Sequence, residues 1–426
     1  MNFWPTLYNL FFLPLLYVLF KLAGLFNAKI KKGITDRENL FEDLQAKIAF
    51  LDRNRKTVWF HSSSMGEFEQ AKPIIEKLKA ENNINIITTF FSPSGYQNSK
   101  KYSFSDVITY IPFDWPKQAK KFLDLVKPDA AIMMRYDIWP NFIWNLKERN
   151  IPCFIVDATM RGDSKRMLPL IKGFHKILFK NFTGILTVSE SDMKNFSSFD
   201  IKNGQLKAVG DTRFDRVYQK SLGAKEKKLF KEDLFKGKKV FVAGSSWEAD
   251  EEVFLPAFLK LTEYDNDIIL ILVPHEPTIQ HLEKVEGEIA GKCSSIRFSY
   301  LNEYKGEQVI IIDSIGILLT LYYYADVAYV GGSFKQGIHN VLEPAVYGIP
   351  VIFGPKIENS QEAKKLVEIG ASKVVRNKKE AYRTLRTLFS NEPLRQKMGQ
   401  LSSMYVNQNI GATARILEEL YKTIPS

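Results

Sequence analysis

From Thr57 onward the chain alternates short β-branched, apolar runs with segments of helical periodicity, and this rhythm restricts its fold more than any other feature. Such alternation is the signature of parallel sheets whose strands are joined by crossover helices. The expected strands of a first half are Thr57–His61, Ile84–Phe90, Val107–Ile111, Ala130–Met134, Cys153–Asp157, Gly184–Val188 and Gln205–Val209. Helical patterns such as Glu67–Ala80 and Trp115–Val126 fall between them. Ser221 to Lys239 is lysine-rich and poor in strand formers, and a second alternation follows it. Its expected strands are Val240–Ala243, Ile268–Val273, Ser295–Phe298, Val309–Ile312, Val327–Val330, Val351–Phe353 and Lys373–Val375. The expectation is an α/β chain with two facing doubly wound, Rossmann-like domains, residues 38–220 and 240–426, and a charged linker, 221–239. The last helix is free to return to the first domain. Ligands of such a pair bind beyond the carboxyl ends of the strands, in the cleft between the domains.

The N-terminal segment is of another kind. Phe3 to Phe26 is nearly all apolar, broken by Pro5, Asn9, Pro14 and Lys21 and followed by Lys29, Lys31 and Lys32. A helix over these residues reaches about 36 Å, enough to cross a hydrocarbon core of about 30 Å. The basic cluster after it would hold the rest of the chain on the cytoplasmic side. A cleaved signal peptide fits less well, because the stretch before the apolar run has no positive charge and no small-x-small site follows. Residues 1–28 are therefore read as a membrane anchor, spanning in preference to lying in the interface.

The net charge of +11 calls for an anionic partner. No Cys/His zinc spacing, helix-turn-helix pattern or Arg/aromatic interleaving points to nucleic acid, which leaves acidic phospholipid or a phosphorylated substrate. The two cysteines, Cys153 and Cys293, sit in or beside apolar runs and read as reduced core residues.

Two strand–loop–helix segments carry the candidate chemistry. In Val330-Gly-Gly-Ser-Phe-Lys-Gln-Gly-Ile-His-Asn-Val-Leu-Glu-Pro344 an apolar run ends in two glycines, and Asn340-Val-Leu-Glu343 opens a helical pattern. Free loop amides and a helix start would together bind a phosphate, with Glu343 accepting from ligand hydroxyls such as a ribose. An ordinary strand-to-helix turn is the alternative. In Val58-Trp-Phe-His-Ser-Ser-Ser-Met-Gly-Glu67 the carboxylate lies just past a strand's carboxyl end, placed to take a proton from a substrate hydroxyl. The competing role closes a capping box from Ser64, which would lower the pKa of Glu67 and weaken it as a base. His339 beside the glycine loop is a candidate ligand contact, and Lys356 and Asn359 are either cleft or turn residues. His175 and His281 read as surface or packing residues without a partner.

The motifs His61-Ser-Ser-Ser-Met-Gly-Glu67, Thr88-Thr-Phe-Phe-Ser-Pro-Ser-Gly95, Tyr110-Ile-Pro-Phe-Asp114, Asp137-Ile-Trp-Pro-Asn141, Phe241-Val-Ala-Gly-Ser-Ser-Trp-Glu248, Leu272-Val-Pro-His275 and Gly331-Gly-Ser…His-Asn-Val-Leu-Glu-Pro344 occur in that order. In this the chain resembles the 3-deoxy-D-manno-octulosonic acid (Kdo) transferases, which build the inner core of lipopolysaccharide. The resemblance implies a GT-B fold and inverting transfer of Kdo from CMP-Kdo to the lipid A precursor, lipid IVA. It implies work at the cytoplasmic face of the inner membrane, without a cofactor or a metal and without nucleic acid. Glu67 matches the family's general base. Arg135 stands where many members carry a supporting glutamate, and Arg213, in Gly210-Asp-Thr-Arg-Phe-Asp215, where lysine is usual. Nucleotide contacts map onto Pro274, His275, Ile315, Gly316, Ile317, Asn340, Val341, Leu342 and Glu343. His275 replaces a common arginine and Ile317 a common glutamate. Two other readings are a GT-B enzyme using a UDP-sugar and a non-catalytic membrane-surface protein with the same fold.

Overall fold

The computed structural model describes residues 3–202, 204–231 and 233–424. Met1, Asn2, Asn203, Glu232, Pro425 and Ser426, which fall within the expected anchor, domains and linker, lie outside the described residues. The chain divides into two compact units, Met1–Arg216 with Ile410–Ser426, and Val217–Asn409.

The first unit holds strands β1 (Thr57–Ser62), β2 (Asn85–Phe90), β3 (Val107–Tyr110), β4 (Ala130–Met134), β5 (Cys153–Ala158), β6 (Gly184–Thr187) and β7 (Leu206–Ala208). They form one parallel sheet in the order β3-β2-β1-β4-β5-β6-β7. The residues of β1, β2 and β4 are buried throughout, as strands covered by helices on both faces must be. Trp59, Phe122 and Phe142 fill one side of the sheet, while Phe60, Phe68 and Ile74 fill the other. The helix Ala412–Tyr421 completes that second side with Ile416, Leu417 and Leu420, packed on the helix Met65–Glu81.

The second unit repeats the plan with β8 (Lys239–Ser246), β9 (Ile268–Pro274), β10 (Ser295–Arg297), β11 (Val309–Ile311), β12 (Val327–Val330), β13 (Val351–Phe353) and β14 (Ser372–Val374). Its parallel order is β10-β11-β9-β8-β12-β13-β14. The winding reverses between β1 and β4 in the first sheet and between β8 and β12 in the second, where β11 also inserts between β9 and β10.

Two expectations about organisation change. The lysine-rich stretch 221–239 is no free linker. Ser221, Ala224 and Phe230 are buried within the second unit, and Phe230 sits edge-on to Phe235, Phe298 and Tyr324. Its lysines mark a solvated face, and the boundary between units falls earlier, inside the helix Thr212–Lys225. Strand β8 also continues past Ala243 to Ser246, with a register shift between Gly244 and Ser246. Small polar residues there read as a loop in isolation, yet they pair with β9.

Phe3–Phe26 is helical and is long and apolar enough to cross a membrane. A π-helical turn, Tyr8–Phe12, precedes Pro14, whose ring cannot complete the ordinary hydrogen-bond ladder. The rod is seated on the first unit. The Tyr8 hydroxyl donates to Asp114 Oδ2 at 2.9 Å, and the Asn9 and Asn141 amides exchange bonds of 3.1 and 2.7 Å.

Strand β12 enters its loop at Gly331, where a Cβ would run into the Ser245 carbonyl oxygen on the neighbouring strand. Gly287 lies within the helix Ile279–Ile289 with nothing within 4 Å of an added Cβ. Thermal unfolding should separate the two. Gly331→Ala is expected to destabilise the second unit by about 1–3 kcal/mol or more, and Gly287→Ala to stabilise it by about 0.5–1 kcal/mol.

Candidate active site

In the first unit the loops after β1 and β4 meet at the reversal of winding. Glu67, in the first turn of the helix Met65–Glu81, is 6% exposed. Its Oε2 accepts from the amides of Ser63 at 2.6 Å and Ser64 at 3.1 Å, leaving Oε1 without a partner among the described residues. Capping alone would hold the carboxyl low, as expected from the sequence. Burial outweighs it. Desolvation first, and the charge of Asp137 second, raise the Glu67 carboxyl above the ordinary glutamate value, against the pull of the two amides and His61.

Asp137, in the loop after β4, is held from behind by His61, the penultimate residue of β1. His61 Nε2 lies 2.8 Å from Asp137 Oδ2, and Nδ1 lies 2.8 Å from the Thr89 hydroxyl. Trp59 Nε1 donates to that same hydroxyl at 2.8 Å. An indole nitrogen only donates, so Thr89 accepts there and its own proton is available to His61 Nδ1. The alternative acceptor for that proton, the Phe60 carbonyl, is at 3.4 Å. The network thus fixes the orientation of the His61 ring, with Nε2 on Asp137 and Nδ1 on Thr89.

Arg135 ends β4 in a left-handed conformation, φ 60°, and its amide donates to the Val156 carbonyl at 2.7 Å. Its Nε is buried without a partner among the described residues. Asp157, at the end of β5, is also left-handed and fully buried, and it accepts from the amide and the hydroxyl of Thr212. Burial first, then the charge of Asp211, push its carboxyl up to about 7 despite Thr212 and Arg135. Strained non-glycine residues at neighbouring strand ends are common where a site has to hold its shape.

Arg213, the arginine that stands where lysine is usual, is held by its own neighbour. Nε and Nη2 grip Asp211 at 2.9 and 2.6 Å, so the pair is close to neutral as a unit. Arg166, unremarked in the sequence, reaches the same rim and donates to the Tyr136 carbonyl at 3.3 Å.

In the second unit a cavity of about 690 Å³ opens at the β8/β12 reversal. It is lined by Pro274, His275, Ile315, Gly316, Asn340 and Glu343 among the anticipated contacts, and by Lys220, Lys227, Ser245 and His339 besides. Ile317 is not part of this lining, and the side chains of Val341 and Leu342 are buried in the unit. Trp247, His275 and His339 form a ring stack, with centroids 4.7 and 4.4 Å apart in turn. Trp247 Nε1 donates to His339 Nε2 at 3.0 Å, which leaves the His339 proton on Nδ1. Burial and the neighbouring His275 hold His339 down at about 4, so it is neutral near pH 7.

The anion-site expectation needs correction in two respects. The amides of Gly331 and Gly332 are not free, donating instead to the Gly244 carbonyl at 2.9 Å and to Asp250 Oδ2 at 2.8 Å. The helix begins only at Leu342 and ends at Ala345, too short for a substantial dipole. Asn340 Oδ1 accepts from the Leu342 amide at 3.1 Å, and the amides of Asn340 and Val341 remain without such a bond among the described residues. Lys220, Lys227 and the stacked imidazoles of His275 and His339, more than a helix end, set the polar character of the cavity.

Other candidates resolve simply. His281 has a partner after all, with Nε2 2.8 Å from Glu251 Oε2. His175 bonds the Ile171 carbonyl of its own helix. Lys356 and Asn359 brace the glycine loop, the former donating its amide to Ser333. Cys153 and Cys293 are free thiols. His61 could have been suspected from its place within an apolar strand, and Trp247 from its motif. Nothing local marks Arg166, Lys220 or Lys227.

Residues 39–216 match the sequence profile described as 3-Deoxy-D-manno-octulosonic-acid transferase (kdotransferase). The 3-deoxy-D-manno-octulosonic acid transferase of Aquifex aeolicus is 33% identical over 337 residues, covering 78% of this chain and 86% of the relative. That of Haemophilus influenzae is 29% identical over 85% of this chain and 86% of its own length. Among solved structures, the UDP-GlcNAc 2-epimerase of Neisseria meningitidis bound to UDP-GlcNAc aligns at TM-score 0.60 with 16% identity, over 86% of this chain and all of that one. MurG of Acinetobacter baumannii aligns at 0.55 with 14% identity, over 86% and 100%. These structural likenesses concern the fold alone. On its kinship to the Aquifex protein along most of both sequences, the chain belongs to the 3-deoxy-D-manno-octulosonic acid transferase family, with the GT-B fold.

Proposed function

We propose that this protein transfers Kdo from CMP-Kdo to the lipid A precursor, lipid IVA, with inversion, at the cytoplasmic face of the inner membrane. The observation that carries the reading is the buried Glu67 carboxyl at the β1/β4 reversal, raised in proton affinity and with Oε1 unengaged among the described residues. In this reading a sugar hydroxyl of the acceptor gives its proton to Glu67 as its oxygen bonds to the anomeric carbon of Kdo. The bond from that carbon to the phosphate breaks, and CMP leaves with the electron pair. The cavity of the second unit holds the nucleotide, with Lys220, Lys227 and His275 near the phosphate and Glu343 accepting from ribose hydroxyls. A donor with a single phosphate needs no metal to bridge a diphosphate, so the transfer is written without one, and chelation by EDTA should leave the rate unchanged.

Arg135 and Arg213 support the reaction differently from a carboxylate. Arg135 offsets the buried charge of Asp157. Arg213, tied to Asp211, orients the start of its helix more than it binds an anion.

Three measurements follow. With CMP-Kdo and lipid IVA, Glu67→Gln should reduce kcat/KM by about 10²–10⁴ while thermal protection by CMP persists. Protection by UDP instead of CMP would overturn the donor assignment. The rate should fall on the acid side as Glu67 takes up a proton, at a pH above the ordinary glutamate range. Asp137→Asn removes the neighbouring negative charge and should move that limb to lower pH; a limb that stays in place would remove Asp137 from the account.

A further inference from the structure

We infer that the first unit sits on an anionic bilayer through a surface made by two helices, with Phe3–Phe26 lying in the plane of the interface and not crossing it.

The helix is bound to its unit along most of its length. Trp4 packs on Phe174 at 5.8 Å, Tyr8 bonds Asp114, Asn9 bonds Asn141, Tyr17 meets Trp115 at 5.5 Å, and Phe20 meets Phe113 at 5.4 Å. From Trp4 to Phe20 these contacts cover about 24 Å of helix. A spanning orientation would either break them or draw Asp114 and the polar face around it into hydrocarbon, where unsatisfied or charged groups are costly. The opposite side of the same helix is apolar and open to solvent. Leu10 is 64% exposed, Phe11 65%, Leu15 59% and Leu19 53%.

A second apolar element lies next to it. The indole of Trp4 stands 3.3 Å from where a Cβ on Gly173 would be, which brings the helix Pro169–Phe179 alongside. Leu170 and Ile177, one helical turn before and after Phe174, share its side and are 84% and 42% exposed. The charge pattern identifies the occupant. Residues 3–35 contain Lys21, Lys29, Lys31 and Lys32 and no acidic residue, and residues 169–180 contain Lys172, Lys176 and Lys180 and no acidic residue. An apolar strip bordered by seven lysines, of which Lys176 is paired with Asp200, suits acyl chains beneath anionic headgroups. This arrangement deepens the membrane attachment proposed above. It is read without turnover, so its failure is separate from any failure of the reaction assignment.

The test uses the full chain and vesicles of phosphatidylethanolamine and phosphatidylglycerol, with phosphatidylcholine vesicles as the neutral control. Wild-type protein should cosediment more strongly with the anionic vesicles, and Leu170→Asp with Ile177→Asp should weaken that binding by about tenfold or more. CMP protection and the melting temperature serve as the check that these exposed substitutions leave the fold intact. Undiminished binding of that variant would remove the second helix from the surface. Orientation is read by labelling Phe3→Cys and Phe26→Cys, each in a Cys293→Ser background, with a membrane-impermeant maleimide on sealed vesicles. Both positions labelled from one side support the in-plane seat, and labelling from opposite sides overturns it. Dimerisation through this face without vesicle binding, seen by analytical ultracentrifugation, would overturn it as well.

Discussion

A parallel sheet wound outward in both directions from its middle leaves two adjacent strands whose following loops depart to opposite faces, and a crevice opens between those loops. In this protein the crevices lie between β1 and β4 and between β8 and β12. Glu67, Asp137 and Arg135 occupy the first, while Ser245, Pro274, His275 and the glycine loop occupy the second. The topology marks out these places, although in the second sheet β11 returns between β9 and β10, so that the neighbours β9 and β11 also send their loops in opposite directions. The left-handed backbones of Arg135 and Ser245 sit at these places, and that of Asp157 near the end of the neighbouring β5. There the main chain has to turn sharply without a glycine, and the packed sheet beneath holds it in that strained form.

The chemistry of the first unit depends on which of several opposed effects is larger. Two amides stabilise the ionised Glu67, but the carboxyl is nearly sealed from water and has a second carboxylate for a neighbour. Burial and like charge prevail. His61 tempers this, and the chain from Trp59 through Thr89 holds its ring against Asp137. The raised basicity of Glu67 is therefore the product of burial and a neighbouring carboxylate, while the relay from Trp59 through Thr89 and His61 holds that carboxylate in place. Arg213 illustrates the reverse case: Asp211, two residues away, consumes its charge.

The alternation of β-rich and helical segments was sufficient to locate the strands of both sheets, because the central strands are buried on both faces and rich in apolar residues, while the partly exposed edge strands β7, β10 and β14 follow in the same rhythm. The main error at a strand end, at Gly244 to Ser246, arose where a strand is built from loop-like residues for the sake of close approach to Gly331. Site residues were legible to the extent that they lie on strand-to-helix loops, as Glu67, His275 and Glu343 do. What could not be read locally was the state of each group. Whether the glycine amides are free depends on Asp250, some eighty residues before them in the chain. The competition between capping and burial at Glu67 is settled by side chains from other strands. Lys220 and Lys227 reach the cavity only because the lysine-rich stretch is folded into the second unit.

The return of Ile416, Leu417 and Leu420 to the first unit also bears on how the chain is made. A ribosome delivers the sheet of the first unit early and the helix that closes one of its faces last, after the whole of the second unit has emerged. The second unit, continuous in sequence, can mature as an autonomous insertion. The first waits with Phe60, Phe68 and Ile74 incompletely covered, a partly finished core in need of protection during synthesis.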